Sequence, residues 1–176
     1  MLHQCYIAGW ERKRFSAFGR ELYPLTLGHA RFLYLAESPL VVPGTPPPQA
    51  DDLMLFAAVC SLPTIQERQE LSVVRDAARG MIGRVEDAAK EIGGYMAYYA
   101  KPIPRFSESS GESRVPWPWA YASILRRFYG YTPDAAWSEL CAEAFWLGTA
   151  VAVQQGNTDF ATLDEINSMI LMEESA

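Results

Sequence analysis

Apolar side chains recur every three or four residues over most of the chain, which is the spacing of one face of an α-helix. Strict alternation of apolar and polar residues, the mark of a half-buried strand, does not stand out in any stretch. A short final helix is predicted to begin at Asp159 or Thr162 and to end at Leu171. The other predicted helices cover residues 26–38, 51–62, 65–100, 119–129 and 132–155. We therefore predict an all-α fold, a single domain of five to six helices.

Capping residues and prolines give these helices their predicted ends. Thr26 is the N-cap of the first helix, which Pro39 stops. Asp51 and Asp52 open the second helix, where acidic side chains interact favourably with the helix dipole. A metal or acid–base role for the two aspartates is the alternative, but capping explains them without a further assumption. Residues 53–62 are apolar nearly all round, so the second helix is expected to be central and buried.

Irregular segments separate the helices within this single domain, which spans residues 1–176. Prolines and a glycine mark an extended loop after the first helix, and a Ser/Gly-rich stretch marks a flexible loop further along. Gly80, Gly83 and the Gly93–Gly94 pair are expected to bend or end the long third helix. The segments outside the helices are an N-terminal arm (1–22), a Pro-rich loop (39–50), a flexible loop (101–118) and a C-terminal tail (172–176).

Four of the five tryptophans lie in or beside two predicted helices that are joined by a Gly-Tyr-Thr-Pro turn. The core is expected to be built around this helical hairpin, because its apolar faces are broad. Ile124, Leu125 and Phe128 are predicted to face inward from its first helix. Trp137 and Trp146 are the predicted inward-facing anchors of its second helix.

Five residues in this region are assigned to contact with a partner protein. Trp117, Trp119 and Tyr121 lie beside the flexible loop, where they can meet another surface. Glu139 and Glu143 lie one turn apart on a different face of the second helix. Their spacing is that of a carboxylate bridge, but no Glu-x-x-His motif accompanies them, so a di-iron site fails its own pattern.

Charge is distributed unevenly along the chain. A net charge of −6 argues against general nucleic-acid binding. Residues 132–176 contain eight acidic residues and no Lys or Arg, whereas residues 1–34 contain five basic and two acidic residues. This polarity predicts an oriented contact with a charged partner. A solvated acidic helix face is the alternative interpretation.

Residues that carry catalytic or metal chemistry are sparse. There are two histidines and no Cys-x-x-Cys pair, which argues against a structural zinc site. His29 lies inside a predicted helix with no nucleophile near it in sequence, so we interpret it as a hydrogen-bonded helix histidine. The sequence therefore predicts no catalytic residue, no metal site and no cofactor.

The cysteines and the apolar runs bear on the compartment. Three widely separated cysteines do not make a disulfide framework, which favours a reducing compartment. The longest apolar runs are shorter than a membrane span. At the N-terminus the charges follow a brief apolar stretch, the reverse of the order in a secretion signal. We expect a soluble protein that is neither exported nor inserted.

Two patches of sequence resemble small proteins that are encoded among the tail genes of tailed phages and prophages. Residues 19–41 read GRELYPLTLGHARFLYLAESPLV, and residues 51–63 read DDLMLFAAVCSLP. In that family a segment of the form GR-x-L-x-P-x-(S/T)-L-x-H precedes an SP pair and a D-L…C-S stretch. A Pro/Trp-rich piece such as PWPWAY and an acidic helical end come after it. These proteins look like tail assembly chaperones, which bind the tape-measure protein and carry no catalytic residues.

The resemblance implies a non-enzymatic tail assembly factor in the cytoplasm of a bacterial host. It implies tape-measure or tail-tube proteins as partners, with a homo-oligomer as a further option, and neither nucleic acid nor membrane. Recognition by helix-in-groove binding on the acidic C-terminal hairpin is the expected mode. The first alternative is a structural virion component, either a tail or a neck/connector protein. The second is a small helical ligand-binding or enzyme domain, with Tyr95, Tyr98 and Tyr99 and the tryptophans lining a pocket.

Overall fold

The computed structural model describes residues 12–63, 65, 74, 78, 81, 83–100, 105–106, 115–156 and 159–160. This part of the chain contains six helices, so the all-α class is confirmed. The helices are α1 (Leu27–Leu35), α2 (Ala50–Cys60), α3 (Val85–Tyr99), α4 (Trp117–Phe128), α5 (Pro133–Ser138) and α6 (Cys141–Gln154). Two small antiparallel sheets accompany them, formed by β1 (Phe15–Ala17) with β2 (Arg20–Leu22) and by β3 (Arg105–Phe106) with β4 (Asp159–Phe160).

The β1–β2 hairpin lies in the segment predicted to be an arm. Its two turn residues, Phe18 and Gly19, have φ angles of 51° and 75°, the left-handed combination that matches the twist of a tight hairpin. A phenylalanine rarely adopts this conformation, and Phe18 is buried, so packing offsets the backbone strain. β1 packs against α3, which makes the hairpin part of the folded body.

The start of α1 agrees with the sequence prediction. The Thr26 hydroxyl accepts a hydrogen bond from the His29 backbone N–H at 3.2 Å, and the Thr26 N–H donates to His29 Nδ1 at 3.2 Å. The other ring nitrogen of His29, Nε2, lies 2.9 Å from the carbonyl of Leu62. Because a carbonyl only accepts, Nε2 carries the proton. His29 is therefore the hydrogen-bonded helix histidine that the sequence predicts, held between the N-cap of α1 and the chain after α2.

The other predicted helix ends are mostly borne out. The Gln49 N–H donates to the Asp52 carboxylate at 2.8 Å, which gives this aspartate a capping role at the start of α2. α4 and α6 are followed by Gly130 and Gly156 with φ angles of 72° and 69°, typical of glycine just after a helix. α4 begins at Trp117, two residues earlier than predicted.

The predicted long helix of residues 65–100 is interrupted. Arg84 is the N-cap of α3 and has extended backbone angles, and neither Met81 nor Gly83 is helical. A Cβ at Gly83 would lie 3.2 Å from Phe18 Cα, so the chain passes close to the hairpin turn at this glycine. The close approach agrees with the expected effect of Gly83. Gly93 and Gly94 do not end the helix, because α3 continues through both to Tyr99. Gly80 lies outside the described residues.

The predicted helix of residues 132–155 is also divided, into α5 and α6. Residues 139–140 between them are extended, because they pair with the chain before α1. The Leu27 N–H donates to the Glu139 carbonyl at 2.9 Å, and the Cys141 N–H donates to the Leu25 carbonyl at 2.9 Å. These two bonds satisfy backbone groups at the starts of both helices. The helical pattern of the sequence does not reveal this long-range pairing.

The core is centred away from the tryptophan hairpin, which corrects the expectation. Large side chains with almost no exposure come mainly from α1, α2 and α3 and the segment before α1. Trp117, Trp119 and Trp137 are half-buried, and Trp146 is 37% exposed, so Trp146 is not an inward anchor. The large core side chains include Leu25, Leu27, Leu33, Phe56, Ile92, Tyr95, Tyr99 and Leu125.

The last described residues also differ from the prediction. Asp159 does not begin a helix, because Asp159–Phe160 is extended and pairs with Arg105–Phe106. The alternative start at Thr162, the end at Leu171 and the tail (172–176) lie outside the described residues. The strand pair therefore replaces a predicted helix start and gives the flexible-loop segment a short ordered element.

Candidate functional site

An open groove runs between α4 and α6 and is the candidate functional site. Apolar side chains recur on one face of α4, and small or apolar residues face them from α6. The groove encloses about 380 Å³. We define the α4–α6 groove by its described lining, which consists of Val115, Trp117, Ala120, Tyr121, Ile124, Phe128, Gly148, Val151, Ala152 and Gln155. None of these side chains is charged, so the groove suits an apolar occupant.

The floor of the groove is a close contact between the two helices. The ring of Tyr121 packs on the ring of Phe145 with centroids 4.9 Å apart. It also lies across Gly148, where an added Cβ would come within 2.5 Å of Tyr121 Cε1. Only glycine leaves room for the tyrosine ring at this crossing. Tyr121 therefore forms part of the groove wall because α6 has no side chain beneath it.

Trp117 joins the groove to the Pro-rich loop. Its Nε1 donates a hydrogen bond to the Val41 carbonyl at 3.0 Å. Its ring also packs against the ring of Phe145, with centroids 5.5 Å apart. These contacts hold the indole in place while part of it lines the groove. Two of the five residues assigned to partner contact, Trp117 and Tyr121, thus meet in one site.

Trp119 lies outside that site. Its ring centroid lies 5.9 Å from that of Tyr34 and 6.0 Å from that of Trp137, and both ring pairs are nearly edge-to-face. Trp137 in turn covers the guanidinium of Arg31, with 4.6 Å between the Arg31 Cζ atom and the ring centroid. Trp119 is therefore engaged in packing that connects α4 to α1 and α5.

Glu139 and Glu143 are also outside the groove lining. The Tyr131 hydroxyl donates to Glu139 Oε2 at 2.8 Å, and the Leu140 N–H donates to Glu139 Oε1 at 3.0 Å. The first of these bonds, more than burial, raises the pKa of Tyr131 to about 12. Burial and then the Glu139 charge raise the pKa of the Glu143 carboxyl. Glu139 thus has a structural role at the break between α5 and α6.

The outer edge of the groove includes a residue for which the sequence predicts a different position. Phe128 is predicted to face inward, but it is 46% exposed and lines the groove. Arg127 next to it is exposed, with its Cζ atom 5.5 Å from the Phe128 ring centroid. Leu125, by contrast, is fully buried as predicted. A pattern of helical periodicity marks this face as apolar but does not reveal whether another part of the chain covers it.

The tyrosines proposed for an enzyme pocket are core residues. Tyr95 donates its hydroxyl hydrogen to the Tyr23 carbonyl at 2.7 Å, and Tyr99 donates to the Lys13 carbonyl at 2.7 Å. Tyr98 is buried beside Tyr99, with centroids 4.9 Å apart. None of the three lines the α4–α6 groove. The three tyrosines therefore form a packed cluster in the core, whereas Trp117 of the same predicted set lines the groove.

The two described cysteines are equally enclosed. Cys60 and Cys141 are free thiols and fully buried. Burial raises the pKa of the Cys60 thiol to about 12 and raises that of the Cys141 thiol well above its usual range. A buried, protonated thiol is a poor nucleophile, so both cysteines act as small core side chains.

Clustered metal ligands, a membrane-spanning helix or a known relative would each indicate the class of site. Within the described part of the chain, no group of three His, Cys, Asp or Glu side chains is placed to hold a metal ion. None of the helices described above combines the length and the apolar composition that a bilayer crossing requires. Comparisons of the chain with protein-family models, with curated proteins and with solved structures find no match.

Proposed function

We propose that this protein is a non-enzymatic assembly factor that binds an apolar helical segment of a partner protein in the α4–α6 groove. The observation that carries the proposal is the groove itself, an open cleft of about 380 Å³ between two helices with a mostly apolar and aromatic lining. A cleft of this kind accepts the apolar stripe of an amphipathic helix, whose side chains enter at i, i+3, i+4 and i+7.

The resemblance of residues 19–41 and 51–63 to phage tail-gene proteins supports a specific partner. On that basis the occupant is a segment of the tape-measure protein, held during tail morphogenesis in the host cytoplasm. An exposed apolar stripe on such a segment favours aggregation, and covering it keeps the segment in solution. The assembly factor therefore acts by occupying that stripe until the tail assembles.

The expected strength of binding is moderate. Burial of one large apolar side chain contributes roughly 1.5–3 kcal/mol. The groove is short enough to take only a few such side chains, and loss of translational and conformational freedom offsets part of the gain. Reversible binding in the micromolar range is the expected result, which suits a factor that must release its partner.

Co-expression with the tape-measure protein from the same gene cluster tests this proposal. Ile124→Glu places a charge in the groove, whereas Ser123→Glu places the same charge on the neighbouring exposed residue outside it. The wild-type protein and Ser123→Glu are expected to keep the tape-measure protein soluble and to co-purify with it. Ile124→Glu is expected to lose both effects while thermal unfolding shows it to be folded.

Two results would overturn the proposal. One is equal co-purification of Ile124→Glu and Ser123→Glu, which would place the contact elsewhere. The other is an absence of co-purification by the wild-type protein at every salt concentration. Purified phage particles provide a second measurement: an assembly factor is expected to be absent from them, and stoichiometric presence would favour the structural virion component instead.

A further inference from the structure

The α4–α6 groove has a positive charge at one end. Ala120, Ile124, Arg127 and Phe128 are spaced at i, i+4, i+7 and i+8 on α4, so they follow a single stripe of the helix. Arg127 also contacts Phe128, which lines the groove. Arg126, one residue earlier, is rotated by about 100° away from that stripe. Only one of two adjacent arginines therefore borders the groove.

This charge has no acidic counterpart within the molecule as described. The ion pairs among the described residues join Arg14 to Glu21 and Arg84 to Glu86 and Asp87, and none involves Arg127. The described lining of the groove contains no carboxylate either. Arg127 is therefore an exposed guanidinium beside an aromatic ring at the end of an apolar cleft.

We propose that the occupant of the groove is an amphipathic helix whose apolar stripe ends in a carboxylate, which pairs with Arg127. This inference rests on the function proposed above and adds the chemistry of the partner to it. A guanidinium binds a carboxylate through two parallel N–H···O bonds, a geometry that neutral side chains do not match. The partner segment is thus apolar along its length and acidic at one end.

The same feature gives the bound helix a direction. The apolar lining accepts a helix in either direction along the groove, because apolar contacts are not directional. Only one direction brings a terminal carboxylate to Arg127. A charged pair at the rim contributes orientation and specificity more than affinity. A preference of about 1.5-fold to fivefold for the acidic peptide is the expected effect of such a partly exposed pair.

Synthetic peptides test the inference on the full-length protein. Three helical peptides about as long as α4, which has 12 residues, share one leucine stripe and differ only in a terminal Glu, Gln or Lys. Fluorescence anisotropy of labelled peptide gives each Kd at low and at high salt. On the wild-type protein the Glu peptide is expected to bind about 1.5-fold to fivefold more tightly than the Gln peptide, and the Lys peptide most weakly.

Two arginine variants provide the matched comparison. Arg127→Gln is expected to abolish the difference between the Glu and Gln peptides, and Arg127→Glu to reverse the order of the Glu and Lys peptides. Arg126→Gln removes the same charge from the other side of α4 and is expected to leave the preference unchanged. High salt is expected to reduce the preference, because it screens an exposed pair.

The outcomes separate this inference from the proposed function. Equal binding of all three peptides, with loss of binding in Ile124→Glu, overturns the carboxylate inference and retains the groove as a helix site. Equal effects of the Arg126 and Arg127 variants also overturn it, since they would reflect net charge alone. Failure of every peptide to bind the wild-type protein contradicts the proposed function itself.

Discussion

Aromatic side chains cluster in two regions of this molecule, around α3 and in the α4–α6 groove, and the two clusters differ in what they leave exposed. Around α3, neighbouring aromatic rings pack edge-to-face or at a tilt. The hydroxyl groups of Tyr95 and Tyr99 donate hydrogen bonds to backbone carbonyls. In the groove, Tyr121 and Trp117 pack on Phe145 from one side and line an open cleft on the other. The same residue types therefore complete a core in one region and present a surface in the other.

The difference arises from what the chain supplies next to each cluster. The β1–β2 hairpin brings Phe15 against Tyr95, with ring centroids 5.5 Å apart, and so closes the α3 cluster. At the groove, Phe128 and Val115 are 46% and 50% exposed. Burial of apolar area is the main source of stability, so the closed cluster should govern folding. The open cluster should govern binding, and the two properties should respond to different substitutions.

The largest expected effect is on the closed cluster. Phe56 is fully buried, and the centroid of its ring lies 5.6 Å from that of Tyr95. Phe56→Ala should therefore lower the free energy of unfolding by about 3–5 kcal/mol. Phe128→Ala, the same change at an exposed position of the groove, should cost less than about 1 kcal/mol and weaken peptide binding. Urea denaturation measures both losses. Comparable losses for the two variants would show that the groove belongs to the stabilising core.

The next effect is a dependence of stability on pH. Burial lowers the pKa of His29 from 6.5 to about 4, and its hydrogen bond to Leu62 opposes this only in part. Between these two values the unfolded chain binds a proton that the folded chain does not. Stability is therefore complete above about pH 6.5 and is lost as the pH falls towards 4, with about 2 kcal/mol lost between pH 7 and pH 5.

Urea denaturation at several pH values checks this loss against the variant His29→Gln. The variant should be less stable at pH 7 but should show a flatter profile between pH 5 and pH 7. The described groove lining holds no histidine or carboxylate, so binding of the Gln peptide by the folded wild-type protein should hardly change over the same range. A wild-type profile as flat as that of the variant would contradict the assignment to His29.

Glycine substitutions sharpen the comparison at the level of single contacts. Gly148→Ala places a methyl group against the Tyr121 ring and should cost about 1–2 kcal/mol, after its gain in helix propensity is included. It should also displace the ring and alter peptide binding. At Gly93 in α3, an added Cβ would have no atom within 4 Å. Gly93→Ala should therefore stabilise the protein by about 0.5–1 kcal/mol. Thermal unfolding of the two variants should therefore shift in opposite directions.

The smallest expected effect separates two tyrosine hydroxyls. Tyr95→Phe leaves the Tyr23 carbonyl without its donor and should cost about 1 kcal/mol. Tyr129 donates to the Leu147 carbonyl at 3.0 Å near the groove but is 39% exposed. Water can replace its hydroxyl there, so Tyr129→Phe should change stability by less than about 0.5 kcal/mol. Chemical denaturation measures both losses. If Tyr95→Phe and Tyr129→Phe lowered the free energy of unfolding equally, the closed and the open region would not differ in this respect.

Local chemistry made much of the fold predictable from the sequence. The capping role of Thr26, the acidic start of α2 and the glycines after α4 and α6 depend on neighbouring residues only. The position of His29 in a helix, with no nucleophile nearby in sequence, was enough to indicate its structural role. These features lie within one or two turns of the residues that determine them, so a single sequence contains the necessary information.

The features that the sequence did not reveal depend on distant contacts or on exposure. Phe18 is an unusual turn residue, and its left-handed conformation is stabilised by burial. Residues 139–140 leave the helical conformation to pair with the chain before α1. Helical periodicity is also the same for Phe128 in an open groove and for Leu125 in a core. The candidate site was therefore predictable only in part, through Trp117 and Tyr121.

The pairing of Glu139 and Cys141 with Leu27 and Leu25 has a consequence for the order of folding. It closes a loop of roughly 110 residues, and contacts so distant in sequence form slowly because chain closure costs entropy. α6, which forms the second wall of the groove, begins at Cys141, directly after this pairing. During synthesis on the ribosome, α1 and α4 emerge before α6. A newly made chain therefore completes the α4–α6 groove only after α6 has left the ribosome.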